Sequence, residues 1–250
     1  MKYLILSDIH SNLEALQSVL LEVYSVRFDK YIVLGDFVGY GASPNEVLGL
    51  IRKKQIIAIR GNHDKVAAGI ESGFDFNYIA MDAALWTQEN ITIDNKRYIA
   101  GLAQGPIGVD DDFDIIHGSP WDEGFYLLNE RHTLRAFNAI TKDLTFFGHT
   151  HIPIIWSFDA EIAETEAILV KEGEDGKFEY SLDRGKRYLI NPGSVGQPRD
   201  YNPKASFAIF DSDEYKITFA RVSYDIKASQ AKIIEAGLHE YLANRLSVGR

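Results

Sequence analysis

Apolar and polar positions alternate between two periods along the first sixty residues. Tyr3 to Leu6 is a short apolar run, the mark of a buried strand, and Leu13, Leu16, Leu20 and Val23 then recur at helical spacing. A second run, Tyr31 to Leu34, stops at Gly35, and a third, Ile56 to Ile59, stops at Gly61. Ser11-Asn12-Leu13-Glu14 and Ser43-Pro44-Asn45-Glu46 each read as a capping box, the second with Pro at the first helical position. Strand, helix, strand, helix, strand at this pace predicts parallel strands joined by crossovers.

Residues 65 to 104 read as mainly helical, with an apolar face at Ile79, Ala83 and Trp86. Strands return at Phe113 to Ile116 and Thr145 to Phe147, on either side of a helix from about Glu130 to Ile140. Beyond His151 the pattern is a meander of short strands: Ile154 to Phe158, Ala167 to Val170, Phe178 to Leu182, Arg187 to Ile190, Ser206 to Phe210 and Tyr215 to Val222. Glu172-Gly173-Glu174-Asp175-Gly176 reads as a solvated hairpin turn. The tail, Ile226 to Leu246, is helical with a break at Gly237. No repeat, low-complexity stretch or linker interrupts the chain. Residues 1–250 are therefore expected to form one domain, with a mainly helical insertion at about 65–104.

The chemistry gathers where the strands end. The first ends in Ser7-Asp8-Ile9-His10, the second in Gly35-Asp36, and the third in Gly61-Asn62-His63-Asp64. Ile116-His117-Gly118 and Gly148-His149-Thr150-His151 follow later strands. The carboxyl edge of an open α/β sheet is where ligands bind. Five of the 7 histidines fall in these motifs, leaving His132 and His239 outside. Carboxylates, imidazoles and one amide without a thiolate suit divalent first-row metals. The ligands exceed what one four- to six-coordinate ion uses, so two ions sharing a carboxylate is the economical reading, a pair able to clamp both oxygens of an in-line displacement.

Composition narrows this further. With no cysteine among 250 residues, disulfides, thiolate zinc sites and cysteine nucleophiles are excluded. Lys+Arg number 26 against 36 Asp+Glu, a net charge of −10, which speaks against general nucleic-acid or anionic-membrane binding. The first apolar run is too short for a signal-peptide core, and no stretch approaches a spanning helix, so a cytoplasmic location is expected. An anionic substrate would then need a locally positive place. Two divalent ions beside Asp8 and Asp36 leave such a place positive by about two charges.

The ordered series Asp8-x-His10, Gly35-Asp36, Gly61-Asn62-His63-Asp64, His117 and Gly148-His149-x-His151 resembles that of the calcineurin-like metallophosphoesterases. The likeness runs from residue 4 to about 200. It continues in Asn191-Pro192-Gly193-Ser194-Val195-Gly196-Gln197-Pro198-Arg199-Asp200, which is similar to the compact bacterial and archaeal phosphodiesterase branch, above all to its diadenosine tetraphosphate hydrolases. The resemblance implies a four-layer αββα sandwich of two mixed sheets. It implies that Asp8, His10 and His151 hold one metal, Asn62, His117 and His149 a second, and that Asp36 bridges them. Manganese or iron would be the first choice, with zinc, nickel or cobalt as alternatives.

It also implies hydrolysis of phosphodiester or phosphoanhydride bonds by a metal-bridging hydroxide. His63 would then give a proton or hydrogen bond to the leaving oxygen, and Asp64 would orient it or cap a helix. Many relatives carry an Asp and an Arg soon after the bridging Asp, whereas Asp36 is followed by Phe37-Val38-Gly39-Tyr40-Gly41. Arg199 is a candidate phosphate contact or structural ion-pair partner. Tyr40, Trp121, Phe125 and Tyr126 are candidates for base stacking or packing. The expected partner is a small phosphorylated molecule such as a dinucleoside polyphosphate, with the oligomeric state open. The alternatives are a phosphoprotein or phosphomonoester phosphatase and a non-catalytic scaffold, the latter disfavoured because all eight ligand and His63 positions are present.

Overall fold

The computed structural model describes residues 1–171, 173 and 176–250. Strand β1 (Lys2–Leu6) leads into helix α1 (Leu13–Glu22), β2 (Lys30–Val33), α2 (Pro44–Ile51) and β3 (Ile56–Ala58). The three strands pair in parallel, as the alternating pattern predicts. Helices α3 (Asn62–Ala68), α4 (Tyr78–Asn90) and α5 (Ile93–Ala100) fill the stretch expected to be helical. Then come β4 (Ile107–Val109), β5 (Phe113–Ile115), α6 (Glu130–Ala139) and β6 (Leu144–Phe146). The remainder is β7 (Ile154–Asp159), β8 (Glu164–Leu169), β9 (Lys177–Ser181), β10 (Arg187–Asn191), β11 (Ala205–Asp211), β12 (Lys216–Val222), α7 (Ile226–Glu235) and α8 (Glu240–Asn244). A 3-10 turn, Arg245–Ser247, follows α8.

Among the described residues these strands form two sheets of six, ordered β3-β2-β1-β11-β12-β9 and β4-β5-β6-β10-β7-β8. Both are mixed. Strand alternation explains how they stack, since successive side chains point to opposite faces. Tyr3 and Ile5 face the second sheet, where they meet Phe113, Phe146 and Tyr188, while Leu4 and Leu6 face α1 and α2. On the far side, Phe137 of α6 packs on Phe147, Trp156 and Leu189. The result is the four-layer αββα sandwich. A fourth apolar cluster joins Tyr40 and α4 to Ile233, Leu242 and Leu246 of the C-terminal helices, so the tail is packed beside the β2–α2 loop.

Four local expectations need correction. Beyond His151 the chain does not form a meander: β7–β8 join the second sheet, β9 the first, β10 the second, and β11–β12 the first. Apolar runs identify strands but carry no record of which sheet each one joins. The flanks of the 172–176 turn, β8 and β9, accordingly lie in different sheets rather than in one hairpin, and Glu172, Glu174 and Asp175 themselves lie outside the described residues. Helix α1 is capped by Asn12, whose side chain accepts from Ala15 N at 3.1 Å, and not by Ser11, which sits at φ +54°, and Ser43 precedes α2 without a side-chain cap bond, so neither capping box forms. Strand β4, short and centred on Gly108, was not foreseen.

Candidate active site

Five site residues stand in a backbone region that L-residues seldom occupy. Asp8, His10, Asp36, His149 and His151 have φ values of +52°, +47°, +53°, +64° and +60°. Each such residue costs on the order of 1–3 kcal/mol and persists only where its surroundings over-determine it. Here the sheets do so. Asp8 N donates to Gly35 O at 3.1 Å and His10 N to Asp36 O at 3.0 Å, binding the β1 loop to the β2 loop. Gly61 is required by close approach, because a Cβ there would stand 2.1 Å from Asp36 Oδ1.

Each imidazole is aimed by a main-chain carbonyl. Nδ1 of His10 donates to Val38 O at 3.0 Å, Nδ1 of His117 to Leu34 O at 2.7 Å, and Nδ1 of His151 to Gln197 O at 2.6 Å. That leaves three Nε2 lone pairs turned inward. His149 is held the other way, Nε2 donating to Gly124 O at 2.9 Å, which frees Nδ1. Fixing a ring through its second nitrogen is how metal-binding histidines are oriented.

The inward atoms form two groups that share one residue. Asp8, His10, Asp36 and His151 place ligand atoms within 4.8 Å of one another, and so do Asp36, His117 and His149. Asn62 Oδ1 lies 3.2 Å from His117 Nε2, which brings it to the second group. Asp36 Oδ1 accepts from His63 N at 2.9 Å, whereas Oδ2 is buried without a hydrogen-bond partner, 3.5 Å from His10 Nε2 and 3.3 Å from His117 Nε2. The Nε2 atoms of His10 and His151 face each other at 3.2 Å.

Two ring lone pairs in contact and an orphaned carboxylate oxygen are unfavourable without a cation between them. Charge shows the same demand. Burial opposes ionisation of Asp8 and Asp36, yet His151 and His117 respectively hold their carboxyls well below the usual range. Burial opposes protonation of His117 too, but the carboxylates of Asp36 and Asp8 raise it to about 10. Burial pushes His10 down, and takes His149 to about 3 with the help of His117. The donor set of carboxylate, imidazole and amide therefore fits a pair of metal ions.

His63 stands beside this cluster rather than in it. Its ring lies between Tyr40 and Phe76, with centroids 4.3 and 4.5 Å away, and Nδ1 is buried without a partner. Burial lowers its pKa to about 4, against the pull of Asp36. Asp64 does not orient it. The Asp64 carboxylate instead accepts from Gly61 N at 3.0 Å and Val38 N at 3.2 Å, capping α3 and pinning the β2 loop. Burial and Asp36 raise its pKa to about 7.

A groove of about 900 Å³ opens over His63, Asn62 and His149, bordered by Phe74, Phe76, Trp121 and Tyr126. Trp121 is already engaged, with Arg135 3.9 Å over its ring and Phe125 at 5.3 Å. Tyr126 leans on His149 at 3.9 Å. Arg199 forms no acidic ion pair among the described residues, contacting instead Gln197 Oε1 at 2.9 Å and the Tyr40 ring.

Several supports escaped sequence reasoning. Asn191 Nδ2 donates to Gly148 O at 2.7 Å and Thr150 Oγ1 at 3.0 Å. Ser194 Oγ donates to Asp8 O at 2.8 Å. Both lie in the segment Asn191 to Asp200, whose density of Asn, Ser and Gln was the available signal. Phe74 and Phe76, on the α3–α4 connection, carried no local signal at all.

Residues 1–215 match the calcineurin-like phosphoesterase superfamily domain. The protein MJ0912 of Methanocaldococcus jannaschii is 40% identical over 98% of this chain and 97% of its own length. Phosphodiesterase YfcE of Escherichia coli K12 is 25% identical over 85% of this chain and 89% of its own. A metallophosphoesterase crystal structure from Sphaerobacter thermophilus superposes with a TM-score of 0.87 at 38% identity, covering 100% of this chain and 99% of that one. Among the described residues no helix is long and apolar enough to cross a membrane. The chain belongs to the calcineurin-like phosphoesterase superfamily.

Proposed function

We propose that this chain is a dimetal hydrolase of phosphodiester or phosphoanhydride bonds, acting on nucleotides such as dinucleoside polyphosphates. The observation that carries the reading is Asp36, the one residue common to both ligand groups. Asp8, His10 and His151 would hold one ion, Asn62, His117 and His149 the other, and Asp36 both. Bound there, the ions supply Lewis acidity, lower the pKa of water toward 7 and neutralise phosphoryl charge.

The side chains supply the rest. The Val38, Leu34, Gln197 and Gly124 carbonyls keep the four rings aimed without reorganisation. His63, facing the groove, donates a proton or hydrogen bond to the departing oxygen. Tyr40 and Phe76 confine its ring and exclude water from that side. Residues 1–250 act in this reading as one domain, with the 65–104 segment as a wall of the groove. The relative named as a phosphodiesterase favours diesters over monoesters among the candidate substrates.

Purified chain supplied with Mn²⁺ is expected to hydrolyse bis(p-nitrophenyl) phosphate and to stop on chelation. Full turnover after exhaustive metal removal would sink the mechanism.

A further inference from the structure

Arg199 and Arg245 both approach one aromatic ring at the edge of the ligand cluster. Their guanidinium carbons each lie 5.8 Å from the centroid of the Tyr40 ring. That ring in turn lies 4.8 Å from His10 and 4.3 Å from His63. Arg199 is tied to the centre through the backbone as well, since its N–H donates to His151 O at 3.4 Å.

Neither guanidinium forms an ion pair with an Asp or Glu side chain among the described residues. The adjacent carboxylate, Asp200, is taken by Arg221. Arg199 Nη2 meets the neutral Gln197 Oε1 at 2.9 Å, Nη1 lies 3.4 Å from the Tyr126 hydroxyl, and Nε is buried without an acceptor. Arg245 donates from Nε to the Arg250 main-chain oxygen and stacks on Tyr241 at 5.3 Å. Burial first, and then the charge of Arg199, lowers its pKa. Two guanidiniums near one ring, one of them with an unfilled donor, are costly in the free chain, and an anion contacting both would remove the cost.

The tail is built to present Arg245. Tyr201 N donates to Gly249 O at 2.8 Å, and Arg250 donates to the Tyr201 hydroxyl at 3.1 Å, fastening the chain end to the loop that carries Arg199. Leu242 and Leu246, on either side of Arg245, are buried against the Tyr40 cluster. Arg245 also lies beyond residues 1–215, the part that matches the family domain.

We infer that Arg199 and Arg245 form a subsite for a charged phosphoryl group next to the one being attacked, so that the chain prefers substrates carrying a second anionic phosphate. The inference rests on the dimetal reading above, and it names the substrate class as polyphosphate-bearing nucleotides rather than simple diesters. Arginine suits the task, because its planar fork matches phosphate oxygens bidentately.

The test is calorimetric binding of AMP and of the non-hydrolysable α,β-methylene analogue of ADP to Mn²⁺-loaded chain. The analogue should bind about tenfold or more tighter than AMP, the gain expected of a charge-assisted contact. Arg245→Gln should bring the two affinities to within about threefold, whereas Arg245→Lys, which keeps the charge but not the fork, should retain part of the gap. Equal affinities in the wild-type chain, or a gap unchanged in Arg245→Gln, would overturn the subsite. Turnover of bis(p-nitrophenyl) phosphate is scored separately: turnover with no preference refutes the subsite alone. A tenfold preference with no turnover of either bis(p-nitrophenyl) phosphate or diadenosine tetraphosphate keeps the subsite and refutes the hydrolytic reading.

Discussion

The floor of the groove and its rim are held by different forces. On the floor, Asp8, His10, Asp36, His117 and His151 are all at most 1% exposed, and the rings hang from main-chain carbonyls of the loops that follow β2 and β10. At the rim, Phe74 is 89% exposed, and the wall beside it is joined by side-chain ion pairs: Lys65 to Glu123 at 2.8 Å and to Glu71 at 3.0 Å, and Arg60 to Glu123 at 3.0 Å. Floor geometry is fixed by two sheets and can change only if they do. The rim itself divides, because Glu123 is 3% exposed between its two cations whereas Phe74 stands in solvent, where substitution comes at small cost. The chemistry is thereby over-determined, while the choice of substrate is left adjustable.

The sharpest way to break this contrast is to disturb the one atom that both halves of the floor share. Asp36→Asn keeps an oxygen to accept from His63 N, but it puts an NH₂ where the unpartnered Oδ2 faced His10 and His117. The substitution should empty both sites, with metal content falling from about two ions per chain to well under one and hydrolysis abolished. Elemental analysis decides it. Loss of one ion with the other retained would refute the shared role of Asp36.

Next in size is His63→Ala. Its ring is packed between Tyr40 and Phe76 and edge-on to His10 at 5.0 Å, but His10 is aimed by Val38 O, so metal content should stay near wild type. The turnover number should fall about 10²–10⁴-fold, as for other proton donors. An unchanged turnover number would remove His63 from the chemistry and leave it a packing residue.

How much of this was readable beforehand follows the same division. The floor was legible because each ligand directly follows an apolar run, and runs such as Tyr31 to Leu34 identify themselves. The residues that family likeness implies as ligands come together in two groups that share Asp36. What local pattern could not supply was long-range. Ser11 reads as a cap, yet its loop is twisted to positive φ so that Asp8 and His10 can face Asp36, and the cap passes to Asn12. Asp64 reads locally as an orienting partner for His63 or as a helix cap; it caps α3 at Gly61 N, and its second oxygen is claimed by Val38 N, 26 residues away in sequence. The switching of β9 and β10 between sheets, and the approach of Arg245 to Tyr40, depend on packing that no window of residues records.

A smaller effect is expected one layer below the floor. Asn191 is fully buried, bonds Gly193 N in its own loop, and holds Gly148 O and Thr150 Oγ1 in the segment from which His149 and His151 project. Asn191→Ala should cost about 1–3 kcal/mol in denaturant titrations, since buried partners are left unpaired. Metal affinity should drop roughly 10–100-fold, the usual result of removing an outer support. If metal affinity were untouched while stability fell, the floor would be more rigid than its hydrogen bonds indicate.

The smallest effect separates rim from floor most cleanly. Trp121 is covered by Arg135 and Phe125, and Tyr126 supports the His149 ring, so replacing either would mix substrate binding with site geometry. Phe74 has neither complication: it lines the groove and is almost wholly exposed. If it stacks on a base, Phe74→Ala should raise KM for a dinucleoside polyphosphate about 2–10-fold, equivalent to roughly 0.5–1.5 kcal/mol of aromatic contact. The turnover number should not change, because no ligand ring depends on Phe74. Bis(p-nitrophenyl) phosphate, which carries no nucleobase, should show no change in KM. A fall in turnover number would mean that the α3–α4 connection helps to hold His63 through Phe76, and the rim would then belong to the catalytic floor.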